Sequence, residues 1–490
     1  MRYISVLSFI FFGLLFLPPA ESYAQWQPDV RLTDEPSASY TSLNQSWCIA
    51  SSGTYVHAVW FDGRDGNDEI YYKRSTDEGV TWGADIRLTN DAAVSSYPSI
   101  AVSGTDVRVV WQDNRSDGRY EFYYKRSTDD GATWGVDTRL TDNAGESRYP
   151  SIATSGSTSH LVWSSWRDAR HELYYKRTVD GSNWGADLRL TENDTNISTT
   201  PSIAVHDLGV HVVWVDERDG NKEIYYKRSI NGGISWGSDI RLSDNPAVSQ
   251  KPCIAVSPLG EVHIVWVDNR DGDYEIYYKG SMDGGANWGA DTRLTNHAAA
   301  SLHPSVAVSD SLQGRVHVVW MDYLEGSNEV FYKRSGDAGL SWESNIRLTN
   351  AANGSEYPSV VGLPRGGAHV LWQDRRDGNY EIYYKRNPTD NIDAIDMTGS
   401  GLPEKIALEQ NYPNPFNPAT TIRYSVPSPQ FVTLGVYDIL GCEIALLVSE
   451  RKQAGFHEVD FNTTHLPTGV YFYRFQAGDF SETRKLILVR

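Results

Sequence analysis

The 490-residue chain carries 63 acidic against 44 basic side chains, a net charge of −19, and is 12% aromatic with 41 glycines and only 4 methionines. That acidity excludes a partner held through phosphates, so no nucleic acid is expected, and three cysteines are too few for a disulfide framework. The length leaves room for more than one domain, and flat aromatic side chains with abundant glycine suit pleated strands and tight turns, so the expected fold class is all-β.

The first 24 residues read as a segment apart. Arg2 supplies a positive start, Ile4 to Leu17 is almost wholly apolar, and Pro18 and Pro19 break the run. Ser22-Tyr23-Ala24 then places small residues before a cleavage point. This is the layout of a secretory signal peptide over 1–24, with the mature chain beginning at Gln25 outside the cytoplasm. No later stretch reaches about 18 apolar residues, so no transmembrane segment is expected.

From residue 25 to 387 one unit repeats. A tryptophan closes an apolar run at Trp60, Trp111, Trp163, Trp214, Trp266, Trp320 and Trp372, and Arg-Leu-Thr (once Ser) recurs from Arg31 to Arg347. Seven units of about 52 residues suit seven four-stranded blades of a β-propeller. In the fourth unit the strands are expected at Pro201 to Val205, Val210 to Val215, Glu223 to Ser229 and Asp239 to Leu242. Asp207-Leu208-Gly209, Arg218 to Asn221 and Asn231-Gly232-Gly233 make the turns. The opening Trp26 to Thr33 matches Trp82 to Thr89, and the seventh unit stops after Arg386 without a fourth strand. The N-terminal strand is therefore expected to close the last blade, removing a free edge.

The third turn reads S-x-D-x-G-x-T-W at Ser75 to Trp82, and recurs at Ser127 to Trp134, Ser281 to Trp288 and Ser335 to Trp342. Ser229 to Trp236 carries Asn231 in place of Asp, and Thr178 to Trp184 is one residue short. The pattern resembles the Asp-box (BNR) repeat of sialidase-like propellers. Such a hairpin uses its acid to cap backbone N–H groups, its glycine for positive φ and its tryptophan as a plug. Its aspartates are thereby structural.

Residues 388–403, rich in Asp, Gly, Ser and Pro, read as a linker. Residues 404–490 lose the repeat and hold short strands at Ile422 to Val426, Val432 to Asp438, Glu458 to Phe461, Val470 to Ala477 and Arg484 to Val489, an Ig-like β-sandwich. Asn411-Tyr412-Pro413-Asn414-Pro415-Phe416-Asn417-Pro418, Val436 to Gly441, Gly469-Val470-Tyr471 and the ending Lys485 to Arg490 closely resemble the type A C-terminal sorting domain of the type IX secretion system. The resemblance implies that secretion machinery as a partner and a secreted or outer-surface location.

Candidate ligand-binding positions come from departures from the repeat. The loop W-x-D-x-R-D-G-x-x-E, as at Trp214 to Glu223, places Asp and Arg in nearly every unit, which favours an Asp–Arg brace of the hairpin over a ring of sites. Two tryptophans have no repeat role, Trp47 and Trp166. Trp166 lies where Ser165 replaces the usual Asp, beside Arg167, Arg170 and His171, and Leu324 replaces the usual Arg in unit six. Trp47 stands where other units place Pro before the innermost strand, and Tyr97, Tyr149, Lys251, His303 and Tyr357 precede the same strand, forming an expected channel rim. Aromatic faces with Arg and His suit a carbohydrate. His57, His211, His263, His317 and His369 share a strand-two position and read as buried structural groups, and Cys48 and Cys253 as small buried fillers at a serine position.

No H-E-x-x-H, G-x-S-x-G, phosphate loop, CxxC or calcium-loop spacing occurs, so no metal or cofactor is expected. The sialidase resemblance would imply a tyrosine nucleophile and an arginine cluster. The chain lacks an Arg-Ile-Pro-like motif before the first box, and it repeats near-identical groups where a catalytic centre needs unlike ones converging. No catalytic residue can be assigned. The expected function is a secreted or cell-surface binding or adhesion module for a glycan or surface protein, with a sialidase-like glycoside hydrolase as the alternative.

Overall fold

The computed structural model describes residues 26–388 except 43–46, 117, 143–144, 168–169, 192–196, 297–298, 310–313, 325, 352 and 364–365. It also describes 406–489 except 409–410, 412–413, 415, 417, 440, 453–454, 464–465 and 479. The signal peptide and all but the first residue of the expected linker lie outside the described residues. The chain divides into two compact units, Met1–Ala394 and Ile395–Arg490. All described regular structure is β-strand.

The first unit is a series of antiparallel sheets resembling propeller blades; among the described residues six are four-stranded, and the first has five strands because Ser39–Tyr40 and Ile49–Ser52 both pair with Tyr55–Asp62. Sheet four is typical, with strands Ser198–His206, Gly209–Asp216, Glu223–Ser229 and Ile240–Arg241 in sequential order. The second strand is buried on both faces, which its continuous Val-His-Val-Val-Trp-Val run requires. The outermost strand is only two residues long, since Arg241 already turns back to brace Glu223 at 2.9 Å. Sheet seven takes its outermost strand from the other end of the chain. Val30 lies opposite Tyr384, Arg31 opposite Tyr383, and Leu32 N–H donates to Ile382 O at 2.8 Å.

Neighbouring sheets are joined by a backbone-to-serine contact that recurs at five steps. The N–H of Ile152 donates to Ser99 Oγ, Ile203 to Ser151, Ile254 to Ser202, Val360 to Ser305 and Cys48 to Ser359, all at 3.2–3.4 Å. This bond explains the serine at the repeat position that Cys48 and Cys253 also occupy. Both cysteines are free and buried, as expected of fillers.

Toward the outside, the tryptophan of each hairpin stands edge-on to a tyrosine of the preceding sheet: Trp134 on Tyr72, Trp184 on Tyr124, Trp236 on Tyr175, Trp288 on Tyr226 and Trp342 on Tyr278. Trp82 meets Tyr384 and Trp26 meets Tyr332 in the same way, at 4.9 Å between centroids. The same tyrosine hydroxyls hydrogen-bond a buried histidine Nδ1, as in His57–Tyr72 at 2.6 Å and His211–Tyr226 at 2.7 Å. His160 is a sixth member, bonded to Tyr175 at 2.6 Å, alongside the five expected. In sheet two Arg108 takes the position and is fully buried, paired with Asp106 at 2.9 Å.

The hairpins after the third strands are locked from within. Asp77 accepts the Thr81 N–H at 2.8 Å and the Thr81 hydroxyl at 2.6 Å, which holds its carboxyl down to about 2. In the hairpin one residue short, Asp180 caps Asn183 instead of the position after it. Gly131 is fixed by two constraints at once: its φ is +75°, and a Cβ would fall 1.9 Å from the Tyr72 hydroxyl oxygen. Gly131→Ala is expected to cost about 2–4 kcal/mol, combining the left-handed penalty with overpacking. Urea melts check this, and Tyr72→Phe in the same chain should recover part of the steric share.

Tyr97, Tyr149, Lys251, His303 and Tyr357 lie inside the innermost strands and not ahead of them. Those strands begin earlier than expected, at Ser95, Ser147, Ser249, Ser301 and Ser355, because they carry a bulge. At the bulge these residues and Thr200 adopt φ between +48° and +60°, each directly before a proline.

The second unit packs a three-stranded sheet and a four-stranded sheet around Leu408, Phe416, Ile422, Tyr424, Leu434, Tyr473, Phe475 and Leu486. Its strands include Glu443–Lys452, a charged stretch whose pattern did not announce a strand. The distant motifs join here. Asn414 Oδ1 accepts the Ile487 N–H at 2.8 Å, and Phe416 exchanges backbone bonds with Ile487 and Val489.

Candidate functional site

The loops between second and third strands carry a repeated brace. In sheet one, Trp60 Nε1 donates to Asp62 at 2.9 Å, Arg64 binds the same carboxylate at 2.7 Å, and the guanidinium lies 4.2 Å over the Tyr71 ring. Asp113, Asp216, Asp268 and Asp374 repeat it. Burial acts to raise these four carboxyls, but the Arg and Trp hydrogen bonds outweigh it and hold them below the usual range. Being fully buried, they are committed to their own hairpins.

Sheet three breaks the brace. With Ser165 in the Asp place, Trp163 Nε1 and Arg167 Nη2 find no acceptor among the described residues. Arg167 keeps an ion pair with Asp187 at 2.9 Å and lies 3.7 Å over the Tyr174 ring. Ser165→Asp should therefore satisfy both orphaned donors and stabilise the protein by about 1 kcal/mol. An unchanged or lowered thermal midpoint would contradict this account of the brace.

Beside the broken brace lies a pocket of about 490 Å³ lined by Glu146, Arg148, Tyr149, Trp166, His171, Ile197, Thr199, Glu217 and Lys222. Sheet three and its loop supply one wall, and the start of sheet four with its 2–3 loop supplies the other. Trp166 is 47% exposed, with His171 edge-on at 4.8 Å. Its N–H donates to Glu146 O at 3.0 Å, and Gly145 permits the approach, since a Cβ there would fall 2.3 Å from the Trp166 carbonyl oxygen.

Arg148 pairs with Glu146 at 2.7 Å and Lys222 lies 3.9 Å from Glu217, so both cations are at the pocket with partly exposed partners. Burial and then Arg148 lower the His171 pKa, against an opposing pull from Glu146. The pocket thus offers an aromatic face, an imidazole bonded to Ser164 Oγ at 3.2 Å, and two partly exposed cations.

The pocket brings together Tyr149, Trp166 and His171 of the sequence candidates. Arg167 is turned into the hairpin, and Arg170 does not line the cavity. Trp47 packs with the cluster of Cys253, Val265 and Val306 from sheets five and six, although its own carbonyl accepts the Ile100 N–H of sheet two. Tyr97 tilts against Phe61 at 5.4 Å, and His303 and Tyr357 share a separate crevice. Lys222, Glu217 and Ile197 were missed. They come from the following repeat, and no local pattern marks them.

The fold is shared with polysaccharide-degrading propellers. An ulvan lyase of a new polysaccharide lyase family aligns with TM-score 0.54 at 11% identity, over 73% of this chain and 95% of that one. The polysaccharide lyase Uly1 aligns with TM-score 0.51 at 9% identity, over 75% and 100%. A phage phi92 endosialidase aligns with TM-score 0.46 at 12% identity, over 94% and 87%. No curated protein matches the chain.

Residues 410–489 match the family model of the secretion system C-terminal sorting domain. The chain therefore carries a type IX sorting domain and is directed to the cell surface or the extracellular space.

Proposed function

We propose that this protein is a secreted, closed seven-bladed propeller of Asp-box hairpins that binds an acidic glycan in the pocket between blades three and four. The observation that carries the reading is Trp166: a half-exposed indole held over a cavity with Arg148 and Lys222 beside it. Sugar rings stack on such faces, and Arg148 and Lys222, both partly exposed, supply cations for carboxylate or sulfate groups. The unbroken series of tryptophan–tyrosine contacts, including Trp26 on Tyr332 and Trp82 on Tyr384, supports closure of the ring. The ulvan lyase with this fold has also been seen bound to a glucuronate–sulfated rhamnose unit, consistent with an acidic polymer.

The test is a glycan array on the mature chain followed by titration of the best acidic polysaccharide. Trp166→Ala should weaken binding by about 10-fold or more, the loss expected of one stacking platform. Wild-type affinity in that variant would remove the pocket from the account. Release of new reducing ends during the titration would replace binding with cleavage as the function.

A further inference from the structure

Lys251 is a cation that the repeat does not balance. The third-strand lysines Lys73, Lys125 and Lys279 each meet an aspartate at 2.8–2.9 Å. Lys251 stands instead at the bulge of the innermost strand of sheet five, partly buried, with Nζ 2.8 Å from His303 Nε2. No carboxylate pairs with it among the described residues, and burial pulls its ammonium down to about 8. His303 is held neutral by burial and by Lys251 itself, its pKa lowered to about 3. Tyr357 closes the group, edge-on to His303 at 4.2 Å.

These three side chains come from sheets five, six and seven at one repeat position, with φ of +54°, +53° and +51°. The same left-handed backbone recurs at Tyr97, Tyr149 and Thr200, so the bulge belongs to the repeat, and it is the side chains carried there that set this group apart. A partly buried ammonium against an imidazole, in a chain of net charge −19, has no carboxylate partner among the described residues. We propose that Lys251, His303 and Tyr357 form an oxyanion subsite that takes the carboxylate or sulfate group of an acidic sugar. Lys251 keeps N–H donors beyond the one directed at His303, His303 fixes the ammonium in place, and Tyr357 offers a ring edge to the sugar. The subsite lies outside the Trp166 pocket and depends on the glycan-binding reading only for the sugar that bears the anion.

Calorimetry on the mature full-length chain tests it with glucuronate, galactose 6-sulfate, inorganic sulfate and, as the uncharged control, glucose. Saturable one-to-one binding of at least one anion, with none of glucose, is expected; which sugar anion binds tells carboxylate from sulfate. Lys251→Met should weaken that binding by about 10-fold or more, the share of one charge-assisted hydrogen bond. Lys251→Arg should largely retain it, and Trp166→Ala should leave it unchanged while losing the polysaccharide. Absence of saturable anion binding to the wild-type chain overturns the proposal, independently of whether any variant folds. So does undiminished binding in Lys251→Met.

Discussion

Deleting residues 26–33 is expected to abolish cooperative folding of the first unit, although it removes no residue of either candidate site. The segment does far more than fill an edge. Asp29 pairs with Arg376 at 2.6 Å and Lys385 at 2.8 Å, and Lys73 reaches the Leu32 carbonyl from sheet one. Thr33 Oγ1 donates to the fully buried Glu381 at 2.5 Å and accepts the Ile382 N–H at 2.8 Å, while Arg31 holds the other Glu381 oxygen at 2.8 Å. Without Arg31 and Thr33 a buried carboxylate loses its partners, a change that costs about 3–5 kcal/mol.

Trp26, 6% exposed, adds about 3–5 kcal/mol for loss of its packing. Together these approach the whole stability of a typical domain. The bared edge of Glu381–Asn387 would also offer unpaired backbone groups to other chains. Urea denaturation with size-exclusion chromatography checks this, with Trp26→Ala as the milder variant at about 3–4 kcal/mol. A deletion that melts like the wild-type chain would show that the N-terminal strand is an ornament and that the first unit folds without it.

The second large effect is expected on acidification. His57, His317 and His369 have their pKa values lowered to about 3, and His160, His211 and His263 to about 4, by burial first. A neighbouring arginine adds to this for all but His263. Above pH 6.5, their ordinary value, these rings are neutral in both the folded and unfolded chain and contribute no pH dependence. Between 6.5 and about 4 the unfolded chain binds protons that the folded one refuses, so stability falls as pH falls.

Each histidine contributes up to about 1.4 kcal/mol per pH unit within that window. By pH 5 each ring costs at most about 2 kcal/mol and the six together at most about 12 kcal/mol, so the thermal midpoint should drop by roughly 10 °C or more between pH 7 and 5. Glu172, whose carboxyl is raised chiefly by burial, opposes this weakly. Replacing His57 and His369 by Gln should flatten the slope by their share. A midpoint independent of pH over that range would refute the buried neutral pairs.

Much of the architecture was legible because it is periodic. A tryptophan spacing near 52 residues, turn residues at fixed offsets and an N-terminal copy of the outer strand are properties of neighbouring residues, and strand pairing within a hairpin obeys them. The sorting tail was legible for a different reason: Asn414 and Phe416 lie in one motif and Ile487, 73 residues beyond Asn414, in another, and each motif is recognisable by itself. His160 went uncounted only because Ser159 and Leu161 replace the usual valines around it.

The sites were legible only as irregularities. Trp166 and Trp47 were conspicuous as tryptophans without a repeat role, and Arg167 keeps the repeat's pairing with the aspartate before the outermost strand, as Arg64 and Arg115 do, yet nothing local says that Trp47 would pack against Cys253 of a distant sheet. Lys222 and Glu217 occupy variable positions of the W-x-D-x-R-D-G-x-x-E loop, which no pattern singles out, and Lys251 and His303 meet from the bulges of neighbouring sheets. Periodicity along the chain thus determined the strands, their order and the hairpin chemistry, since those depend on residues a few positions apart. Which side chains converge depended on how the sheets splay and bulge, a geometry set by packing between repeats, and only the tertiary structure could decide it.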